Sequence, residues 1–436
     1  MSSVDSSQDK NTQSDIDYES SDTESEVLST SSDENLEQDE NLELCGDIIK
    51  NYNVICELGR GSFSIVWLAF NVTNNNFYAL KVQNPNEYKD GLSEIKFVQK
   101  LPTQPKLFNN LVEYFVEIKN DKKYLCSVWE LHCSNIDSLI RKGDYTEGFP
   151  LEMVKKIMKQ LIESVKILHK KFKVFHGDIK SDNILVRGLN DKDNFIIQKY
   201  KHENFFETYS EAKKKVWISK GKDLKQIDNM KKEDKLEIRK QIHKTFTDKI
   251  LQEYHESDVS KHSIDSKYFS NLMISLADFG THCEEHNYYE EPFGTRYYQA
   301  PEIILMGKCS FPVDIWAIGC TFYELLSGKL LFDPIKDSKY SRDYYHLCLI
   351  NETCGNYPNN FIRKTKHYKK YFDSNGNIID SYVKSFDRLD RKLNEIAIPE
   401  EDKKIIKKLL SMMLEIDPNK RITIEQLSSI DYFKSI

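Results

Sequence analysis

Three observations predict an α+β chain of two lobes, a small antiparallel-sheet lobe at about residues 52–131 and a larger, mainly helical lobe at about 132–434. Runs rich in β-branched and aromatic residues, YNVICELG, SIVWLAFNV and FYALKVQ, crowd the first part. Residues 151–170 place apolar side chains at 154, 157, 158, 161, 162, 165, 167 and 168, a helical period with one broad face. VDIWAIGCTFYELLSG at 313–328 is apolar nearly all round, as a helix enclosed by others must be.

Before the sheet, residues 1–44 carry fourteen Asp or Glu against the single Lys10 and few large apolar groups, which predicts a disordered acidic tail. This tail hides the charge of the rest. The chain's net charge is −7, so the part after residue 44 is mildly basic, at about +6. Within the small lobe, LSEIKFVQKL has apolar positions at 92, 95, 98 and 101, a helix able to turn a carboxylate toward the sheet. Between about 187 and 272 lies a Lys- and Glu-rich stretch far longer than an ordinary connection, read as an insert. Leu224, Ile227, Met230, Leu236, Ile242, Phe246 and Ile250 recur in it at three- or four-residue multiples, predicting at least one amphipathic helix. Trp217 is either its anchor on the lobe or local core. Residues 400–414 form a second amphipathic helix, and ITIEQLSSIDYF closes the chain.

Nine cysteines stand without a CxxC pair or metal-ligand spacing, so free thiols are expected. The start MSSVDSSQDK lacks an apolar run, and no stretch of about 18 apolar residues follows. Neither secretion nor membrane spanning is expected. The location read from this is intracellular, cytoplasmic, with nuclear targeting left open by Lys213–Lys215. Those lysines are interleaved with acids, and direct nucleic-acid binding is not expected.

Three separated segments carry chemistry that a phosphate needs. In LGRGSFSIV, Gly59 and Gly61 flank a turn after a strand, where a missing Cβ lets backbone N–H groups approach phosphates closely. Leu58, Arg60, Ser62, Phe63, Ser64, Ile65 and Val66 complete this candidate nucleotide-binding set, with Phe63 at the tip and small Ser64 tolerating close approach. Lys81, in AlaLeuLysVal, lies between apolar neighbours and needs an anionic partner, which Glu94 and ATP phosphates would supply. In HGDIKSDN, Asp178 would orient the hydroxyl proton of a substrate, Lys180 would neutralise the γ-phosphate, and Asn183 would hold Mg²⁺. Asp278 of ADFG would bridge that metal to ATP. Asp182 is read as a turn residue. Glu130, where the lobes join, is the remaining nucleotide-binding candidate.

With these motifs the chain resembles a eukaryotic-type protein kinase over about residues 46–434, insert excepted. The resemblance implies the two-lobed protein kinase fold at 45–434, ATP and Mg²⁺ as cofactors, and a protein substrate phosphorylated on Ser or Thr. GTRYYQAPE at 294–302 is similar to the end of an activation segment, with Thr295 at the position that bridges catalytic Asp and Lys in Ser/Thr-specific relatives. Asp314 resembles the central-helix aspartate, and Arg421 the partner of Glu302. Finer features, GSFSIVWLA, LSEIKFVQ, HisGlyAsp and the interrupting spacer, resemble the SR-protein kinase branch. Gly177 stands where most kinases have an Arg that reads an activation-segment phosphate, which implies competence without that phosphate. That branch docks Arg-rich substrates in an acidic groove, but the matching positions here are Lys329, Tyr345 and Asn351, with Asp333, Asp337 and Asp343 nearby as substitutes. Gln299 replaces an Arg below the residue that follows the phosphosite. Arg/Ser-rich substrates and a partner bound through the insert therefore stay open. The competing reading is a pseudokinase scaffold that binds partners through insert and tail.

Overall fold

The computed structural model describes residues 42–61, 63–119, 121–202, 205–221, 232–259, 271–284 and 291–434. The acidic stretch up to 41, Ser62, and Leu224, Ile227 and Met230 of the insert lie outside them. Six antiparallel strands make the first sheet: β1 (Ile48–Ile49), β2 (Tyr52–Arg60), β3 (Ser64–Asn71), β4 (Asn76–Gln83), β5 (Leu111–Lys119) and β6 (Lys122–Trp129), in the order β1-β2-β3-β4-β6-β5. Asn75 and Asp121 take positive φ in the β3–β4 and β5–β6 turns, a conformation that short polar side chains tolerate. The ordered chain begins earlier than composition suggests. Leu44, assigned to the acidic tail, is 2% exposed, and the backbone of Gly46 and Asp47 pairs with Val54. Helix α1 (Tyr88–Val98) lies on this sheet and buries Glu94, Ile95, Phe97 and Val98.

Beyond Glu130 the chain becomes helical. Strand β7 (His132–Asn135) leads into α2 (Ile136–Arg141), capped where Asn135 Oδ1 accepts the Ser138 N–H at 2.8 Å. Helix α3 (Leu151–Ile167) buries Val154, Ile157, Met158, Leu161, Ile162 and Val165 of the expected stripe, while Ile167 is half-buried and Leu168 is buried just past its end. Two short strands follow, β8 (Val174–Phe175) and β9 (Ile184–Arg187); β9 pairs with β7 and with β10 (Ile274–Leu276), and β8 pairs with β11 (Cys283–Glu284).

The insert emerges from β9 and returns at β10. It holds three described helices: α4 (Asp191–His202), α5 (Phe205–Ser219) and α6 (Lys232–His255). Ile238, Ile242, Phe246 and Ile250 form the buried stripe of α6, while Leu236 falls off it and is 47% exposed. The stripe closes on the first sheet, where Ile196, Tyr200, Phe246 and Ile250 pack with Ile55, Cys56 and Leu68. Tyr200 meets Phe70 at 5.0 Å and Phe77 at 5.6 Å between ring centroids. Burial pulls the His243 imidazole down to about 4, so at neutral pH it is uncharged, its Nε2–H donating to Val54 O at 3.0 Å. Trp217 is buried within α5.

The large lobe is organised around α7 (Pro312–Ser327), whose residues from Val313 to Ser327 are all buried. Helices α8 (Arg342–Cys354) and α9 (Glu400–Met413) complete its outer layers. No helix among the described residues is long and apolar enough to cross a membrane, and all nine cysteines are free.

Candidate active site

The glycine segment is a β2–β3 hairpin in direct register with Lys81: Gly59 lies opposite Val66, Val66 opposite Lys81, and Lys81 opposite Ser127. A Cβ at Gly59 would meet nothing within 4 Å, and one at Gly61 only Ser64 O at 3.8 Å. Packing therefore does not require these glycines. Open space over the register row of Lys81 is what a phosphate chain needs. Phe63 is 50% exposed at the tip, Ile65 is buried, Leu58 is packed beside the insert, and Arg60 pairs with Glu57 at 2.7 Å.

Lys81 Nζ meets Glu94 Oε2 at 2.8 Å, with 19% and 6% of the two side chains exposed. Burial opposes the ammonium, but Glu94 and Asp278 outweigh it and hold the Lys81 pKa above its usual value. Phe97, one turn along α1, lies 5.5 Å from Phe279, which is itself 5.0 Å from His176. An aromatic column thus ties α1, and with it Glu94, to the segment carrying Asp278 and to the HisGlyAsp loop.

Asp314 on α7 fixes that loop from below, accepting the backbone N–H of His176 at 2.8 Å and of Gly177 at 2.9 Å, while His169 Nε2 lies 2.8 Å from it. Gly177 has φ +81°, and a Cβ there would sit 2.9 Å from Thr281 O, so a side chain is excluded on two counts. Asp178 is the convergence point. Its Oδ1 accepts the Thr295 N–H at 2.7 Å, Lys180 Nζ lies 3.2 Å from Oδ2, and Asn183 Nδ2 donates to Asp178 O at 2.8 Å. Lys180 Nζ also donates to Thr295 Oγ1 at 2.7 Å. Burial works against the Asp178 carboxylate, yet Lys180 and the Thr295 hydrogen bonds win and keep its pKa below the usual range. It is ionised at neutral pH.

Asp278 is exposed and adopts φ +62°, a left-handed backbone that its short polar side chain tolerates. Its charge reaches both Lys81 and Lys180, raising each. One carboxylate thus joins the upper and lower halves of the cleft. No group of three or more His, Cys, Asp or Glu is arranged for a metal among the described residues. Asn183 and Asp278 alone fit a hard cation that keeps most of its ligands as water and phosphate oxygen. The Glu130 carboxylate is turned to Arg187 at 2.7 Å and Asn110 at 3.1 Å, and its backbone carbonyl lies 3.1 Å from His132 Nδ1.

Sequence reading missed a second cluster beneath the loop. Tyr298 donates to Glu324 Oε2 at 2.5 Å, Ser181 Oγ lies 3.1 Å from Tyr298 Oη, and Arg141 reaches Glu324 at 3.8 Å. Burial pushes the Glu324 carboxyl up to about 7, and raises Asp182, the supposed turn residue, with Asp137 adding to it. Residues from four distant segments build this cluster, so no local motif signals it. Arg421 holds Glu302 through two contacts at 2.7 and 2.9 Å, both side chains almost wholly buried.

At the expected docking positions, Lys329 is exposed near Glu147, Tyr345 donates to Asp337, and Asn351 donates to Gly355 O at 2.8 Å. Asp343 is taken by Arg296 and by Tyr371. Gln299 is buried and donates to Phe293 O at 3.0 Å.

The protein kinase domain family matches residues 52–198 and 196–433, and the chain belongs to that family. Its relatives narrow the class to protein serine/threonine kinases similar to the SRPK group. It is 29% identical to the serine/threonine-protein kinase SRPK of Physarum polycephalum, over 87% of this chain and 85% of that one. Protein L205 of Acanthamoeba polyphaga mimivirus, described as a serine/threonine-protein kinase, is 27% identical over 88% and 87%. Protein kinase dsk1 of Schizosaccharomyces pombe is 26% identical over 89% and 81%.

Proposed function

We propose that this kinase transfers the γ-phosphate of ATP, held with Mg²⁺, to Ser or Thr of a protein substrate, and that Asp178 steers the accepting hydroxyl. The reading rests on the Asp178 carboxylate, whose Oδ1 accepts the Thr295 N–H at 2.7 Å while Lys180 Nζ lies 3.2 Å from its Oδ2. When bound, the metal would neutralise phosphate charge, with Asn183 and Asp278 holding it. Lys81, oriented by Glu94, neutralises the phosphates nearer the sheet; Lys180 balances charge at the transferred group, and Thr295 fixes both Lys180 and Asp178. The backbone of residues 58–66 covers the nucleotide. With Gly177 bare, the segment needs no phosphate to reach this state. Location in the cytoplasm, with nuclear entry open, is the accompanying proposal.

Arg/Ser-rich substrates are the less supported option, because the groove positions carry Lys329, Tyr345 and Asn351, and Asp343 is already occupied by Arg296. The pseudokinase alternative lacks a reason to assemble Lys81, Glu94, Asp178, Asn183 and Asp278 in one cleft.

Incubating the purified chain with labelled ATP, magnesium and a degenerate Ser/Thr peptide array tests the reading. Transfer is expected, unchanged by phosphatase pretreatment, and cut about 10³-fold or more by Asp178→Asn with nucleotide binding retained. Nucleotide binding without transfer in the unsubstituted chain would leave the scaffold reading instead.

A further inference from the structure

Between positions 363 and 370 the chain places Arg363, Lys364, Lys366, Lys369 and Lys370 with no Asp or Glu among them. All five are exposed, and none forms an ion pair among the described residues, whereas Arg388, Arg391, Lys407 and Arg421 of the same lobe all meet carboxylates. The backbone beneath them is anchored. Phe361, Ile362, Thr365 and Tyr371 are buried, and Arg363 donates to Ser374 O at 2.8 Å. Gly307 packs against Thr365 and brings Lys308, also exposed, to the same surface. Arg363 also lies over the Tyr368 ring and Lys370 over the Tyr371 ring, but six like charges held together on a fixed backbone still repel one another with no carboxylate among the described residues to offset them.

The patch is attached to the peptide platform at two places. The N–H of His367 donates to Leu305 O at 3.1 Å and its ring contacts Ile304 O at 3.2 Å, directly after the turn Pro301–Ile304 that closes the segment containing Thr295. Tyr371 donates to Asp343 at 3.1 Å, and Asp343 in turn holds Arg296, the neighbour of Thr295.

We infer that this surface recruits an acidic segment of the protein substrate, so that substrates are selected by negative charge outside the cleft. The inference rests on the kinase reading above and names its substrate class. A protein is favoured over a nucleic acid or a membrane because the cations are bolted to the platform that presents a peptide to Asp178. Exposed charge pairs are individually weak and sensitive to salt, so the effect is collective.

The test uses the full chain and fluorescence anisotropy with a labelled Glu/Asp-rich peptide free of Ser, Thr and Tyr, an Arg-Ser peptide of equal length, and a single-stranded oligonucleotide, with sedimentation on phosphatidylserine vesicles alongside. The acidic peptide is expected to bind best, to weaken with added salt, and to lose about tenfold or more in Lys364→Gln/Lys366→Gln/Lys369→Gln while persisting in the matching Lys→Arg triple. In transfer assays the Gln triple should raise KM only for a Ser peptide bearing an acidic arm, leaving kcat and the unarmed peptide unchanged. Equal binding by the unsubstituted chain and the Gln triple, or tighter binding of oligonucleotide or vesicle at the same salt, would overturn the proposal. Binding of the acidic peptide without transfer to any peptide would instead strike the catalytic reading and leave recruitment standing.

Discussion

Above the cleft, strands β2–β4 are backed by Ile196, Tyr200, Phe246 and Ile250 of the insert, and His243 in that interface is held neutral. Below it, the platform is fixed by buried charge: Asp314 gathers the HisGlyAsp loop, Arg421 locks Glu302, and Glu324 sits under Tyr298. Apolar packing is additive and tolerant of small changes, while a buried ion pair fails abruptly when one member is removed. The platform, which must hold Asp178 and Thr295 to fractions of an ångström, is set by directional bonds.

Arg421→Ala should give the largest effect on stability, about 3–5 kcal/mol, because Glu302 is left charged and buried. Thermal unfolding measures it, and hydrogen exchange should rise around Pro301–Ile304 and α7 but not in β2–β4. Ile250→Ala should cost about 2–4 kcal/mol by opening a cavity at a fully buried site, with faster exchange confined to β2–β4 and α4. Exchange spreading equally through both lobes in either variant would break the contrast. Glu324→Gln is the subtlest. The folded carboxyl titrates near 7, above its value in the unfolded chain, so the native state holds a proton that the unfolded state has lost between about pH 4.5 and 7. Stability should therefore fall as pH rises through that window, and the Gln variant should lose this slope and gain about 1–2 kcal/mol above pH 7. A slope unchanged in the variant would assign it to other groups.

The cleft was legible because its chemistry uses residues close in sequence: Asp178, Lys180 and Asn183 share one loop, and Lys81 and Glu94 stand on a strand and the following helix. The Glu324 cluster was not, since Asp137, Arg141, Asp182, Tyr298 and Glu324 meet only after α2, the turns at Ser181–Asn183 and Arg296–Tyr298, and α7 pack. In the insert, periodicity found α6 but included Leu236, which the lobe leaves exposed. Helix α4 carries a local sign that periodicity overlooks, Asn190 Oδ1 accepting the Asp193 N–H at 2.7 Å as a cap. Leu44 was lost to the tail because its acidic neighbours masked a single buried apolar residue.

Strands β9 and β10 pair as a hairpin, Leu185 opposite Ser275 and the Arg187 N–H donating to Met273 O at 2.9 Å, although the whole insert separates them. Its two ends are therefore already neighbours, and a short turn could join them without shifting the register. Such an excised chain would close correctly yet show bare Ile55, Leu68, Phe70 and Phe77 to water, a greasy flank that invites clumping. The appendage is easy to splice out in topology and costly to lose in solubility.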